Sequence, residues 1–229
     1  MRDGVIITSS YLSGEEPLKS ERYEVQGIEC HTEHGEFDYC DGLQKAWITN
    51  KVLVNIEHDM EHSDALIDGL VNCPYPVCAY AYQVYPTALG RYIYCATSRK
   101  VWKEEDEIDY RMGHEGTNPS DLSGVNAFDR ELGVRKVGDE YISWLDEGDQ
   151  WAVWSSIGFC KIAPVARTKP LDRLFWMYIE HSVNRSVGKY MNAGGANYDW
   201  HIHWNEGKGI QHHHDYLGEK GAPVPDHLW

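Results

Sequence analysis

The chain has 229 residues, and its 21 basic and 36 acidic side chains leave a net charge of −15. Hydrophobic residues make up 42% of it, enough for a buried core, which excludes an intrinsically disordered chain. A field of this sign repels nucleic-acid backbones and anionic membranes, so neither is expected as a partner; a small phosphate-bearing substrate is compatible if a cation neutralises it locally.

Met1-Arg-Asp-Gly4 leads into no apolar signal region, and no run approaches the roughly 18–20 apolar residues of a membrane span. A soluble, cytoplasmic protein is expected. Val5-Ile-Ile-Thr-Ser9 reads as a buried first strand feeding a loop, and Tyr23 to Cys30 as a weaker second strand. From Asp38 to Trp47, the apolar residues Tyr39, Leu43, Ala46 and Trp47 recur at helical spacing. Lys51-Val-Leu-Val-Asn-Ile56 has the composition of a central strand covered on both faces. It ends in Glu57, His58, Asp59, Glu61 and His62. Ser63 then caps a predicted helix running to Val71.

Val77 to Tyr85 and Tyr92 to Thr97 read as strands separated by a turn over Pro86 to Gly90. The stretch 98–148, rich in charge and glycine, reads as an insertion or lid. Trp151 to Ile162 is strand-like, and Pro170 opens a predicted helix to about Val187. The tail carries Trp200-His-Ile-His-Trp204 and Gln211-His-His-His-Asp215. Strands alternating with helices predict one α/β domain over 1–229, with a mixed, mostly parallel sheet flanked by helices. Ligands of such sheets bind beyond the carboxyl ends of strands, where Glu57 to Asp59 fall.

The six cysteines are too sparse for a disulfide framework. Cys73-Pro-Tyr-Pro-Val-Cys78 is the one close pair. A zinc site there would need two more ligands, and none stands nearby in sequence, so the thiols are read as buried and free.

Acidic and imidazole side chains concentrate at two places, Glu57 to His62 and His201 to Asp215. Residues two apart on a strand share a face, which pairs Glu57 with Asp59 and His201 with His203. Carboxylate and imidazole together suit Mn²⁺, or Mg²⁺ with fewer nitrogens, and Zn²⁺ is chemically compatible. The expected metal ligands are Asp59 with His201, His203 and His214. A packed strand with hydrogen-bonded imidazoles is the structural alternative for His201 and His203.

Three segments, in order, resemble the GT-A glycosyltransferases, especially the family 2 group. Gly35 to Ala46 looks like the family's glycine turn and "N-x-G-L-x-x-A" helix, with Cys40 where asparagine is usual. Lys51 to Asp59 looks like the strand ending in a "D-x-D" metal motif, here Glu-His-Asp. Gly158 to Ala163, then Phe175 to Arg185, look like the acceptor-side strand and the helix bearing the catalytic base, which falls on Glu180. The resemblance implies a GT-A-like (Rossmann-like) fold and an inverting transfer of sugar from a UDP- or GDP-sugar to a hydroxyl acceptor. Thr8, Ser9, Tyr11, Glu57 and His58 would then meet the nucleotide, and Trp154, Ser155 and Ser156 would line the acceptor side. A metal-dependent hydrolase built on the same histidines and Asp59, or a non-catalytic sugar- or metal-binding module, are the alternatives.

Overall fold

The computed structural model describes residues 2–31, 35–84, 93–98, 127–129, 134–137, 140–167, 169–171, 179–187 and 198–212. Strand β1 (Val5–Leu12) lies between β2 (Glu24–Cys30) and β3 (Val52–Ile56), parallel to both. Its residues point alternately to two cores, as strand geometry requires. Ile6 joins Leu53, Leu43 and Trp47 on one face, and Val5 and Ile7 join Val54, Ile56 and Leu70 on the other. This double coverage explains why β1 and β3 read as apolar runs rather than alternating ones.

Helix α1 (Gly35–Trp47) covers the first face and α2 (Asp64–Asn72) the second. Helix α1 packs tightly on β2: a Cβ on Gly42 would lie 2.6–2.9 Å from three side-chain carbons of Ile28. The half-buried Arg167 guanidinium donates to the carbonyls of Ala46 and Trp47 at 3.0 and 2.9 Å, satisfying acceptors the helix end leaves open. Helix α2 begins at Ser63, whose Oγ accepts from the Leu66 amide at 3.3 Å, the cap expected from the sequence.

The remaining described strands are β4 (Val77–Tyr80), β5 (Gln83–Val84), β6 (Ile93–Tyr94), β7 (Ala96–Ser98), β8 (Ala127–Asp129), β9 (Val134–Val137), β10 (Glu140–Trp144), β11 (Trp151–Ser155), β12 (Phe159–Ile162) and β13 (Trp200–His203). Apart from the small β5-β6 pair, they continue one sheet in the order β2-β1-β3-β12-β4-β13-β11-β7-β10-β9-β8. The class is α/β, but the sheet corrects one expectation: it is mixed rather than mostly parallel. Parallel pairing is confined to β1-β2, β1-β3 and β4-β13, and the other neighbours are antiparallel. Two features cause this. Strand β12 runs against both β3 and β4, and the strands β8, β9 and β10 follow one another as a meander. Strands joined by short connections pair antiparallel.

The strands β8, β9 and β10 of the stretch 98–148 therefore extend the sheet; Ser98 and residues 145–148 are also described, and the rest of that stretch lies outside the described residues. Of the helix anticipated from Pro170 to about Val187, Ile179–Val187 is helical (α3), Lys169 to Leu171 are not, and 172–178 lie outside the described residues. Its Asn184 is fully buried: Oδ1 accepts from Trp200 Nε1 at 2.9 Å, and Nδ2 donates to the Ser155 carbonyl at 2.8 Å. Among the described residues no helix is long and apolar enough to cross a membrane.

Candidate functional site

Strand β3 stops at Ile56, and the chain turns. The Glu57 amide donates to Gly158 O at 2.7 Å and the Met60 amide to Glu57 O at 3.1 Å, closing a four-residue turn. The His58 amide donates to Ser10 Oγ at 3.1 Å, which ties the turn to the carboxyl end of β1. Asp59 is placed inward by this turn rather than by a continued strand, and it is 9% exposed.

Its partner comes from the tail. Met60 and His212 form an antiparallel bridge, and the Glu61 amide donates to Gln211 O at 2.9 Å. This lays His212 against the turn, with its ring 5.0 Å from that of Tyr82. His212 Nε2 stands 2.9 Å from Asp59 Oδ2, with both side chains under a tenth exposed. Burial opposes the charge on Asp59, but the His212 hydrogen bond and the positive ends of His212 and His58 outweigh it. The carboxyl is held below its usual value. The other oxygen, Oδ1, is buried and has no hydrogen-bond partner among the described residues. A carboxylate oxygen in that position is costly unless something satisfies it, and an added cation or water would do so.

Glu57 belongs to a different network. Its Oε1 accepts from the Tyr39 hydroxyl at 2.9 Å, and that hydroxyl accepts from Asn55 Nδ2 at 2.6 Å. Thr8 Oγ1 donates to Asn55 Oδ1 at 2.8 Å. Burial, and next the Glu57 charge, push the Tyr39 hydroxyl well above its usual value, so it stays a donor. The turn thus sends Glu57 and Asp59 to separate partners, where a continued strand would have set them side by side. Gly158 makes room for this: a Cβ there would meet the Tyr82 hydroxyl at 2.8 Å and Glu57 Oε2 at 3.1 Å.

The other expected nucleotide and sugar contacts are placed as follows. Thr8 is wholly buried in the Asn55 network, and Ser9 is buried beside it on β1. Tyr11 packs beside Gly27. Ser155 is buried, its Oγ donating to Ser156 O at 3.0 Å, and Trp154 is partly buried. Glu180 lies on α3 with its side chain outside the described residues, and His214 lies outside them altogether.

His201 and His203 come together on β13 and meet a second group of side chains. Strand β13 runs parallel to β4 with His201 opposite Cys78 and His203 opposite Tyr80. Alternation then puts His201, His203, Cys78 and Tyr80 on the face covered by α2, and Trp200 and Ile202 on the other. Cys73, at the end of α2, joins them. Ligand atoms of Cys73, Cys78 and His203 all lie within 4.8 Å of one another. His201 Nδ1 is 3.6 Å from Cys73 Sγ and 3.3 Å from His203 Nε2.

The Cys73 thiol is held down to about 3, first by the hydrogen bond from Cys78 and then by His203 and Lys161, against the effect of burial. Burial first, and Cys73 second, push the Cys78 thiol up. Burial pushes His201 down, favouring its neutral form. The structure therefore separates what the sequence grouped: Asp59 sits with His212, while His201 and His203 sit with two cysteines. Two signals were missed. One is Cys73-x4-Cys78 taken together with His201-x-His203. The other is His212, hidden in a run of three histidines that only the Met60 bridge distinguishes.

No protein-family model matches the chain, and no curated protein matches it.

Proposed function

We propose that the chain is a metal-dependent glycosyltransferase that binds a nucleotide-sugar donor at the carboxyl ends of β1 and β3. The observation that carries this reading is the buried Asp59 Oδ1, which has no hydrogen-bond partner among the described residues, beside His212 at those strand ends. One carboxylate and one imidazole fit Mn²⁺, and Mg²⁺ less well, with the remaining positions left to phosphate and water. The ion would supply Lewis acidity to a diphosphate leaving group. The resemblance of Gly35 to Ala46, Lys51 to Asp59 and Phe175 to Arg185 to family 2 GT-A enzymes supports the same substrate class.

In this reading His212 takes the metal-binding part that the sequence assigned to His201, His203 or His214. Asp59 anchors the ion, and the Ser10 hydroxyl holds the turn that presents it. Glu57, fixed by Tyr39, shapes the floor. Glu180 acts as general base toward the acceptor hydroxyl.

The test is calorimetric titration with uridine and guanosine diphosphates, with and without Mn²⁺. Mn²⁺-dependent binding that Asp59→Asn abolishes supports the proposal. Binding that ignores both Mn²⁺ and the substitution refutes it. Glu180→Gln should keep donor binding and lose transfer, whereas phosphoester cleavage without an acceptor would favour a hydrolase.

A further inference from the structure

We infer that Cys73, Cys78, His201 and His203 form a closed four-ligand zinc site, separate from the strand-end site and independent of the glycosyltransferase reading. The argument begins with spacing. Zinc bonds of about 2.3 Å to sulfur and about 2.0–2.1 Å to nitrogen, set tetrahedrally, place S and N ligands about 3.5–3.6 Å apart and two N ligands about 3.3 Å apart. The structure has 3.6 Å between Cys73 Sγ and His201 Nδ1, and 3.3 Å between His201 Nδ1 and His203 Nε2. The two imidazole planes are perpendicular, so their nitrogens converge without the rings stacking. Both sulfurs and the His203 nitrogen share one 4.8 Å cluster; His201 meets Cys73 and His203 but stands outside that cluster, so it would close onto the ion as the fourth ligand.

A second observation points to negative charge at this place. Lys161, on the neighbouring β12 and opposite Cys78, is only 4% exposed. Its ammonium donates to the Cys73 carbonyl at 2.6 Å, and among the described residues it has no carboxylate within ion-pair range. A buried cation favours an anionic neighbour, and cysteine held as thiolate, the form that binds zinc, supplies one; the completed Zn²⁺ centre with two thiolates and two imidazoles is neutral overall. Thiolate and imidazole donors select zinc over Mn²⁺ or Mg²⁺, which take oxygen.

The setting is structural rather than catalytic. All four positions are filled by protein, which leaves no place for substrate. Tyr75, flanked by two prolines, lies 4.6 Å from His201 and 4.8 Å from Trp151, and Trp151 lies 5.1 Å from His201; these rings form a partly exposed cover. The metal joins the end of α2 and β4 to β13, the strand that links β4 to the antiparallel half of the sheet. Zinc enters as Zn²⁺, and the thiol protons it displaces go to solvent.

The test uses the full chain, purified under reductant without metal-affinity resin. Elemental analysis should find one zinc per chain. Cobalt substitution should give thiolate-to-metal charge transfer and the visible bands of tetrahedral cobalt. Cys73→Ser and His203→Gln should each lose most of the zinc, whereas Asp59→Asn should keep it. Should the cysteine variant fail to fold, the wild-type metal content and cobalt spectrum still decide. The inference is overturned by wild-type protein without zinc after zinc is supplied under reductant, by a cobalt spectrum lacking thiolate charge transfer, or by a Cys73–Cys78 disulfide in the reduced preparation.

Discussion

His212 Nε2 lies 2.9 Å from Asp59 Oδ2, and neither side chain is more than a tenth exposed. The pair bridges the turn after β3 and the chain beyond β13, so the tail is held against the carboxyl end of β3. Removing one member leaves the other buried without its partner.

His212→Ala should therefore destabilise the metal-free protein by about 3–5 kcal/mol, the usual result of breaking a buried pair. His212→Gln, which can still donate to Asp59, should cost clearly less. Urea unfolding without metal reads both. In the presence of Mn²⁺, His212→Gln should also weaken nucleoside-diphosphate binding by about tenfold or more, the loss seen when even an outer metal contact is removed. Equal unfolding midpoints for the alanine variant and wild type would contradict the pairing.

Asn184 ties α3 to β11 and β13 through Trp200 Nε1 and the Ser155 backbone. Asn184→Leu would strand those buried groups at about 1–3 kcal/mol for each one left unsatisfied. The expected outcome is a lowered thermal midpoint with quenched or shifted Trp200 fluorescence. If both stayed at wild-type values, the latch would be dispensable.

Gly42→Ala forces a methyl group into Ile28. Overpacking of this kind costs about 1–3 kcal/mol and outweighs the gain of up to about 1 kcal/mol from replacing a helical glycine. Ile28→Ala combined with it should cost less than the sum of the two single changes, because the smaller side chain clears the space. A double-mutant cycle with zero coupling would show that α1 shifts away instead.

The Asp68 carboxyl is held below its usual value by hydrogen bonds first from Tyr23 and then from Arg22. Its ionised form is thus favoured in the folded state. The stabilisation is present above the unfolded carboxylate value of about 3.9 and fades as pH falls through the lower folded value. Asp68→Asn should be less stable than wild type at neutral pH, with the gap closing in acid. A gap that stayed constant from about pH 7 to pH 2 would refute the linkage.

Local pattern was enough for much of the frame. The apolar runs Val5 to Ile7 and Val52 to Ile56 mark strands buried on both faces, and Ser63 marks a helix start, because burial and capping act within a few residues. The acid burst after β3 likewise announced that Asp59 stands at a strand end. Strand direction was not legible. Whether β12 runs with or against β3 depends on the path of the intervening chain, which leaves no trace in either strand's own residues.

The sequence by itself thus determined where β1, β3 and the first two helices form, and that Asp59 and the tail histidines are chemically suited to cations. Only the tertiary structure decided which of them meet. The insertion of β13 beside β4 brings His201 and His203 to Cys73 and Cys78, and the Met60 bridge selects His212 for Asp59. Both choices rest on strand register between segments far apart in the chain, and register is set by packing across the whole sheet.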